Sequence, residues 1–282
     1  MDEIALIVHA CDRYQLLYHG FEYFFKRNWP FQEVNIKYYF FTEEADYQSD
    51  LFTNIKTGKG EWSERLLNGL NQIPETYVIY FQEDMWLSRP VVADTVNKTI
   101  LFSLNNSVNL FKLSSNFVYH TMSTGNYIDG LSVSTLNNKE SKYLMSHQVS
   151  IWKKSFLAEQ LQYREHPWRN EREGTKRLRA VNPKIYHIDL LSENGQQAIN
   201  HNGKHLKPGR YYTVSENAQL NKSAVPFIEG LKQATDEATQ QYGLKLEYNY
   251  AHSITHDGQS KPRKEDIFKK IKNAFKGIFA SK

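Results

Sequence analysis

Residues 77–87 read YVIYFQEDMWL, an apolar run that ends in two adjacent acids and a bulky Met-Trp-Leu group. The segment Tyr77–Gln82 has no polar alternation, which is typical of a strand buried on both faces of a parallel sheet. This strand delivers Glu83 and Asp84 to its own carboxyl end, where sheets of that kind bind their ligands. The bulky residues 85–87 follow at once and are expected to hold both acids rigidly.

The segments before this strand alternate between strand and helix patterns. IALIVH at 4–9 and NIKYYFFT at 35–42 predict strands, while residues 14–28 and EWSERLLNGLNQI at 61–73 have apolar residues at helical spacing. The order β-α-β-α-β predicts an α/β fold with a mostly parallel central sheet and helices on both faces. Three segments then meet at the carboxyl edge of the sheet, namely 10–13, the turn after Thr42, and 82–86.

The second half of the chain carries weaker signals. Ser88 is expected to cap a helix that has Pro90 in its first turn and runs to about residue 104. The patterns predict strands at 108–114, 117–123, 144–152 and from 184, and a loop over 126–139. They also predict a short helix after Trp152 and further helices from Pro167 and over 226–242.

Composition limits the classes of partner and compartment. The single cysteine, Cys11, excludes an internal disulfide and a thiolate metal cage, which fits a reducing cytoplasm. Residues 261–282 carry eight Lys or Arg against two acids, which gives this tail a net charge of +6. The whole chain has a net charge of +4, so the rest of the chain has −2. A body near neutrality argues against nucleic acid as the main partner. Neither a signal peptide nor a membrane-spanning run is expected.

The acidic pair has ordinary explanations as well as a functional one. Glu83 and Asp84 could lie in a surface loop, cap a helix, or form an ion pair with Arg89. Adjacent carboxylates repel each other, so a rigid pair is stable mainly where a cation or several donors lie between them. The position at a strand end favours the functional explanation, in which a cation or several donors lie between the two carboxylates.

At this point the chain resembles the GT-A glycosyltransferases. Gln82-Glu83-Asp84 resembles their acidic D-x-D type motif, with Gln82 where the first acid usually stands. Their nucleoside turn resembles VHACDRY, and their helix and acidic strand resemble WSERLLNGLNQIPETYVIYFQEDMWL. Their acceptor side resembles SHQVSIWKKSFL followed by EHPWRNE. The resemblance covers roughly residues 4–208. Over this range the chain is also similar to galactosyltransferases that build bacterial surface polysaccharides such as capsule or lipopolysaccharide.

The resemblance implies a GT-A type, Rossmann-like fold and a set of site residues. Mn²⁺ or Mg²⁺ would be held by Asp84 with Glu83, against the diphosphate of a UDP-sugar. The nucleotide would lie near a group of four residues at the first turn and the second helix, namely Ala10, Asp12, Arg13 and Trp62. Asp12 is equally expected to cap the helix that follows it, and one residue can do both.

A later segment, HNGKHLKP at 201–208, would complete the site. It resembles the H-x-x-G-x-x-K-P element of retaining galactosyltransferases, in which the His binds the metal and the Lys binds the phosphates. This assigns His201 to the metal and Lys207 to the diphosphate, although Gly203 stands one position early. A surface loop rich in His and Lys is the alternative, and His205 could be the functional histidine instead.

An inverting transfer needs a carboxylate that deprotonates the acceptor hydroxyl. Glu171 is the first candidate and Glu165 the second, because both flank Pro167-Trp168, where a sugar could stack beside a base. Both could instead be solvated acids on a helix surface, and a retaining transfer would need neither as base. His147 is interpreted as a core histidine.

The tail EDIFKKIKNAFKGIF has Phe and Ile on one helical face and lysines on the others, which predicts a C-terminal amphipathic helix. Such a helix suits the surface of an anionic membrane, and docking on the body or on a second subunit is the alternative. The expected organisation is a catalytic domain over 1–225, a helical extension over 226–260 and the tail over 261–282. The protein is expected in the cytoplasm, peripheral at the inner face of the membrane.

The sequence therefore predicts a metal-assisted hexosyltransferase that moves a sugar, such as galactose, from UDP to a growing surface or lipid-linked glycan. Two alternatives stay open. A sugar-phosphate nucleotidyltransferase uses a similar sheet and metal, but generally has a Gly-rich loop after its first strand, and HACDRYQ has no glycine. A noncatalytic scaffold that binds glycan or membrane is kept open by Gln82.

Overall fold

The computed structural model describes residues 4–196 and 208–260. The strands are β1 (Ile4–His9), β2 (Lys37–Thr42), β3 (Thr53–Lys56), β4 (Tyr77–Gln82), β5 (Met85–Arg89), β6 (Leu110–Ser115), β7 (Thr121–Ile128), β8 (Leu131–Leu136), β9 (Ser150–Lys153), β10 (Tyr186–Glu193), β11 (Gly209–Thr213), β12 (Ser215–Glu216) and β13 (Gln219–Leu220). The helices are α1 (Tyr18–Asn28), α2 (Trp62–Gln72), α3 (Ala93–Asn105), α4 (Lys154–Gln160), α5 (Pro167–Val181), α6 (Val225–Lys232) and α7 (Glu237–Ala251). Short 3₁₀ helices cover Asp12–Leu17 and Lys222–Ala224.

The strands of the large sheet follow the order β3-β2-β1-β4-β9-β6-β10-β11-β5, and the β7–β8 hairpin pairs with β10 through β8. Along this order only β9 and β5 run against the other strands. The chain builds β2 and β3 on one side of β1 and then returns to place β4 on the other. A crevice is expected beyond the carboxyl ends of β1 and β4, because the strand order reverses there. His9 pairs with Gln82, so the two strands end level.

Both faces of this half of the sheet are covered by helices. Phe21 of α1 packs on Phe40 and Phe81, with ring centroids 6.1 and 6.2 Å away. On the opposite face, Leu66 and Leu70 of α2 belong to one buried cluster with alternate residues of β1 and β4. The α/β class predicted from the sequence, a GT-A type sheet with Rossmann-like order, is therefore confirmed.

The predicted helix start at Ser88 is wrong. Ser88 lies in β5, whose residues pair in antiparallel fashion with β11, and α3 begins only at Ala93. The pairing partner lies more than a hundred residues further along the chain, so the local cap signal had no access to it.

Three further predictions for the second half are also corrected. The expected loop over 126–139 contains the end of β7 and all of β8, and the expected strand over 144–152 is reduced to Ser150–Lys153. The expected helix over 226–242 is two helices, α6 and α7, joined at 233–236. The predicted tail helix lies outside the described residues.

The chain divides into two compact units between Thr213 and Val214. The first contains the large sheet, and the described part of the second contains the β12–β13 hairpin, α6 and α7. In the second unit the two helices pack closely at Gly243, where an added Cβ would lie 2.8 Å from the backbone nitrogen of Lys232. None of the helices within the described residues is long and apolar enough to span a bilayer.

Candidate functional site

Asp12 ties the turn after β1 to the loop after β2. Its carboxylate accepts hydrogen bonds from the backbone N–H groups of Glu43, Glu44 and Ala45, at 2.9, 2.8 and 2.8 Å. The predicted cap is wrong, because Cys11 is the N-cap residue and no side chain caps that helix end. Asp12 thus fixes the shape of the rim of the site, which is formed by the turn after β1 and the loop after β2. Its predicted contact with a nucleoside, shared with the exposed Arg13, stays a prediction.

Arg65 of α2 strengthens the same rim. Its buried guanidinium donates a hydrogen bond to the carbonyl oxygen of Ala10 at 3.0 Å and lies 3.3 Å from a carboxylate oxygen of Glu43. The backbone N–H of Ala10 in turn donates to the carbonyl of Phe41 at 2.9 Å. The turn after β1, the loop after β2 and the first turn of α2 are therefore held together as one rigid edge.

Glu83 is part of the structure of this edge. Its carboxyl is buried, with 4% of the residue exposed, and accepts a hydrogen bond from the backbone N–H of Cys11. The indole N–H of Trp86 donates to the Glu83 carbonyl oxygen at 3.0 Å. Burial, and then the neighbouring charge of Asp84, raises the pKa of Glu83 well above its ordinary value, which favours the protonated form. A buried, protonated carboxyl is a poor metal ligand.

Asp84 has different surroundings, although it is the next residue. It lies partly exposed in the turn that links β4 to β5, and burial raises its pKa to about 6. No Lys, Arg or His nitrogen of the described chain forms a salt bridge with it. Above about pH 6 this carboxylate is therefore mostly ionised, and no cationic side chain of the described residues neutralises it. One carboxylate together with phosphate oxygens and water suits Mg²⁺ or Mn²⁺, so this residue fits the implied metal.

Four buried rings form a polar cluster beneath the carboxyl ends of β1 and β4. The ring centroid of Trp62 is 5.4 Å from that of His9 and 4.1 Å from that of His147, and Tyr80 lies 6.0 Å from His147. Both nitrogens of His9, the Trp62 indole nitrogen, the Tyr80 hydroxyl and Nε2 of His147 make no hydrogen bond to the described residues. Buried polar atoms almost always have a partner, so five such atoms in one cluster are unusual.

The two histidines of this cluster are neutral. Burial lowers the pKa of His147 to about 3, and burial followed by the charge of Arg65 lowers that of His9 well below its ordinary value. Each neutral imidazole can donate one hydrogen bond and accept another. Neither imidazole therefore contributes a positive charge to the cluster.

The hydroxyl of Tyr80 is influenced by both Asp84, the candidate metal ligand, and Glu171, the candidate base. Burial raises the pKa of its hydroxyl well above the ordinary value, and the charges of Glu83, Asp84 and Glu171 act in the same direction. Asp84 and Glu171, which are 87 positions apart in the sequence, thus lie within electrostatic reach of one phenol. The structure brings the candidate metal ligand and the candidate base to the same region.

The two candidate bases are held in different ways. Half-buried Glu171 accepts one hydrogen bond from the backbone N–H of His147 at 3.0 Å, and burial raises its pKa. A raised pKa makes a carboxylate a better proton acceptor near neutral pH. Glu165 is buried and meets two Arg177 nitrogens at 2.9 Å and Asn170 at 2.6 Å. Burial alone would raise its pKa, but these partners keep it below the ordinary value, so geometry favours Glu171.

Sequence reasoning missed Lys112, which lies fully buried in β6. Its ammonium donates to the Ser146 hydroxyl at 2.6 Å, and that hydroxyl is 3.0 Å from the Tyr119 hydroxyl. Burial lowers the pKa of Lys112 to about 7, while the charges of Glu171 and Glu193 oppose this shift. A lysine inside the apolar run NLFKLS was the available signal. His9 and Tyr80 were also missed, although period-two alternation places both on the α2 face of the sheet.

Two predicted residues, His201 and Lys207, lie outside the described residues. Within those residues no group of three or more His, Cys, Asp or Glu side chains is arranged to hold a metal. A surface hollow of about 480 Å³ in the described part of the chain is lined by residues of α1 and the 47–50 loop and includes none of the predicted site residues.

No family model matches this chain, and no curated protein matches it either. Solved structures do match. S. aureus TarS shares 10% identity over 89% of this chain and 43% of its own, with a TM-score of 0.45. TarS 1–349 in complex with UDP-GlcNAc shares 12% identity over 90% of this chain and 73% of its own, also at 0.45. A nucleotidyl transferase from Methanothermobacter thermautotroptrophicus shares 11% over 67% and 87%, at 0.39.

This chain spans less than half of the first TarS chain that it matches. Identities near 10% and TM-scores below 0.5 do not assign an activity to this chain. The assignment has to come from the residues of the site.

Proposed function

We propose that this chain is a glycosyltransferase that moves a hexose from a UDP-sugar to a growing glycan, assisted by Mn²⁺ or Mg²⁺. Galactose is the first donor sugar to test, because the sequence resembles galactosyltransferases. The acceptor would be a bacterial surface polysaccharide or a lipid-linked precursor of one.

One observation carries the proposal. Asp84 is a carboxylate without a cationic partner in the described chain, and it stands beyond the end of β4 where the strand order reverses. A nucleotide diphosphate brings negative charge to that crevice, and a divalent cation shared with Asp84 would neutralise both. Because Glu83 is engaged by the Cys11 backbone, we assign the metal to Asp84 and keep His201 as its predicted second ligand.

The bound cation would stabilise the charge that grows on the leaving diphosphate. In an inverting transfer, Glu171 would take the proton from the acceptor hydroxyl while the new bond to the anomeric carbon forms and the bond to phosphate breaks. The hydrogen bond from the backbone N–H of His147 keeps the Glu171 carboxylate in place. Lys207 would add a positive charge to the diphosphate, and the Asp12 and Arg65 contacts would keep the nucleotide side of the rim rigid.

Binding of UDP tests the proposal directly. Calorimetry of the full chain should show UDP binding that requires Mn²⁺, and Asp84→Asn should weaken it about tenfold or more, which is a loss of about 1.4 kcal/mol. Asp94→Asn is the matched control, since Asp94 is an exposed acid paired only with Lys98 on α3. Equal UDP affinity in the wild type and in Asp84→Asn would refute the assignment of the metal.

Incubation with a panel of nucleotide-sugars then separates the activities. Release of UDP from one donor, dependent on Mn²⁺ and on Asp84, supports the glycosyltransferase. Exchange of labelled pyrophosphate into a nucleotide-sugar supports a nucleotidyltransferase, and silence with every donor supports a noncatalytic scaffold.

Residues 261–282 belong to the proposal as a membrane contact. The sequence of this segment has lysines together with Phe and Ile at helical spacing, a pattern that suits an anionic bilayer and would keep the enzyme on the cytoplasmic face beside a lipid-linked acceptor. Sedimentation with vesicles that contain anionic lipid, with and without this segment, tests the contact separately from catalysis.

A further inference from the structure

Two aromatic side chains that are close in sequence to the candidate base are unusually exposed. Tyr163 is 71% and Trp168 is 68% exposed, the highest values among the aromatic residues of the described chain. Large aromatic rings are normally buried, and rings that stay in water on a folded surface commonly mark a binding site. Most of the other aromatic residues of the first unit lie in its core, so these two stand out.

The segment that carries them is firmly anchored. Buried Glu165 lies between the two rings in sequence and is held by the bidentate contact with Arg177. The hydroxyl of Ser63 on α2 donates to the carbonyl of Gln162 at 2.7 Å. Arg164 has a φ of +57°, a strained conformation for a residue with a side chain that such anchoring can maintain. The rings are therefore presented by a fixed backbone, which lowers the entropy cost of binding.

Three exposed arginines are close to the rings in sequence. Arg164, Arg169 and Arg172 are exposed, and none of them forms a salt bridge with a carboxylate of the described chain. The guanidinium of Arg164 lies 5.0 Å from the ring centre of Tyr163. Guanidinium groups bind carboxylates and phosphates through two parallel hydrogen bonds, so this surface fits an anion that also has flat faces to stack.

Its position relates the surface to the reaction. Trp168 precedes Glu171 by three residues in α5, and residues at that spacing lie on the same side of a helix. A chain laid over Trp168 would therefore pass close to the carboxylate that we assign as the base. A sugar has apolar faces for the rings and hydroxyl groups for the base, whereas a peptide or a nucleic acid has no comparable reason to reach Glu171.

From these observations we infer that Tyr163, Trp168 and the three arginines form an acceptor platform for an anionic glycan. Sugar rings would stack on the two aromatic faces, and uronate or phosphate groups would bind the guanidinium groups. The inference rests on the proposed function for its choice of a glycan, and it adds the chemical class of the acceptor.

Binding of defined oligosaccharides to the full chain provides the test. The probes are hexagalacturonate for a carboxylate glycan, a phosphodiester-linked oligosaccharide for a phosphate glycan, neutral maltohexaose, and a single-stranded oligonucleotide. We expect at least one anionic glycan to bind and maltohexaose to bind at least about tenfold more weakly, with the difference shrinking as salt rises. Equal binding of the neutral and anionic glycans, or tighter binding of the oligonucleotide through the same residues, would overturn the inference.

Variants locate the binding. Trp168→Ala and Arg169→Gln/Arg172→Gln should each weaken the anionic glycan about tenfold while leaving the affinity for UDP unchanged. Tyr127→Ala is the aromatic control, because Tyr127 is 62% exposed on β7, and Lys176→Gln is the charge control, because Lys176 is paired with Glu173. Equal losses in the controls would overturn the assignment.

The two proposals can fail separately. Binding of an anionic glycan through these residues without any binding of UDP would leave the platform standing and refute the glycosyltransferase. Binding of UDP without any binding of the glycan probes would refute the platform alone.

Discussion

Two adjacent carboxyl groups in the turn between β4 and β5 have different environments and therefore different capacities. Glu83 is buried against the Cys11 backbone, while Asp84 stays partly exposed and forms no salt bridge within the described residues. A sequence can place both acids at a strand end, but it cannot tell which one the next segment will cover. The functional assignment therefore moves from a pair to a single residue.

Asp84 should destabilise the free protein at neutral pH. Its pKa is raised from 3.8 to about 6, so the ionised form is disfavoured in the folded state. The cost is absent below pH 3.8, grows between pH 4 and pH 6, and stays constant above. We expect Asp84→Asn to raise the free energy of unfolding on the order of 1–3 kcal/mol at pH 7.5, with little effect at pH 4.

Urea unfolding at the two pH values measures this difference. Mn²⁺ with UDP should raise the stability of the wild type and not that of Asp84→Asn, which separates a ligand role from a purely structural one. A variant that is less stable than the wild type at pH 7.5 would show that the carboxylate has a favourable partner.

At the scale of elements, the first half of the fold could be predicted from the sequence because each signal there is local. β1 and β4 have the predicted bounds, and α1 and α2 follow the apolar spacing. β5 could not be predicted, because its strand state depends on pairing with β11. The β7–β8 hairpin did have a local signal, since Asp129 and Gly130 have φ values of 48° and 82° and Asp-Gly favours such two-residue turns.

The candidate site divides in the same way. Asp84 and Asp12 could be placed at strand ends by counting from apolar runs. The ring cluster could not, because it forms only when α2 and the 144–148 segment fold over the same sheet face. Glu165 and Glu171 both flank Pro167-Trp168 in the sequence, and the contacts of Glu165 with Arg177 and Asn170 distinguish a buried anchor from a candidate base.

The packing of α2 on the sheet gives a second prediction. A Cβ added at Gly69 would overlap the ring of Phe41 at the end of β2. Alanine favours a helix over glycine by about 1 kcal/mol, but overpacking in a core costs about 1–3 kcal/mol and would also displace the rim held by Asp12. We expect Gly69→Ala to lower both the melting temperature and the affinity for UDP.

Asn71→Ala is the matched control for this change. Asn71 is exposed in the last turn of the same helix, so the substitution should raise stability by a few tenths of a kcal/mol through helix propensity. Thermal unfolding of both variants decides the matter. A gain in stability from Gly69→Ala would mean that α2 can move away from β2 without cost.

At the scale of the whole molecule, all described residues of the candidate site lie in the first compact unit, residues 4–213. Several ionisable groups of that unit have shifted pKa values, and the shifts act on stability in opposite directions. The raised pKa values of Glu83, Asp84 and Glu171 favour the folded state as pH falls, whereas the lowered pKa values of His9 and His147 disfavour it. The difference in stability between the wild type and a single variant is therefore needed to isolate the contribution of one group to the pH dependence.

His147 provides the third prediction. The unfolded chain protonates this histidine below about pH 6.5, while the folded chain resists down to about pH 3, so its contribution to stability is present above pH 6.5 and is lost between these values. His147→Leu keeps a similar volume among Trp62, Tyr80, Lys112 and Glu171 and removes the titration. We expect the variant to be close to the wild type at pH 7.5 and more stable by about 2 kcal/mol at pH 4.5. Urea unfolding curves of both proteins across this range give the answer: a constant difference between them would mean that the imidazole is not held neutral by its burial.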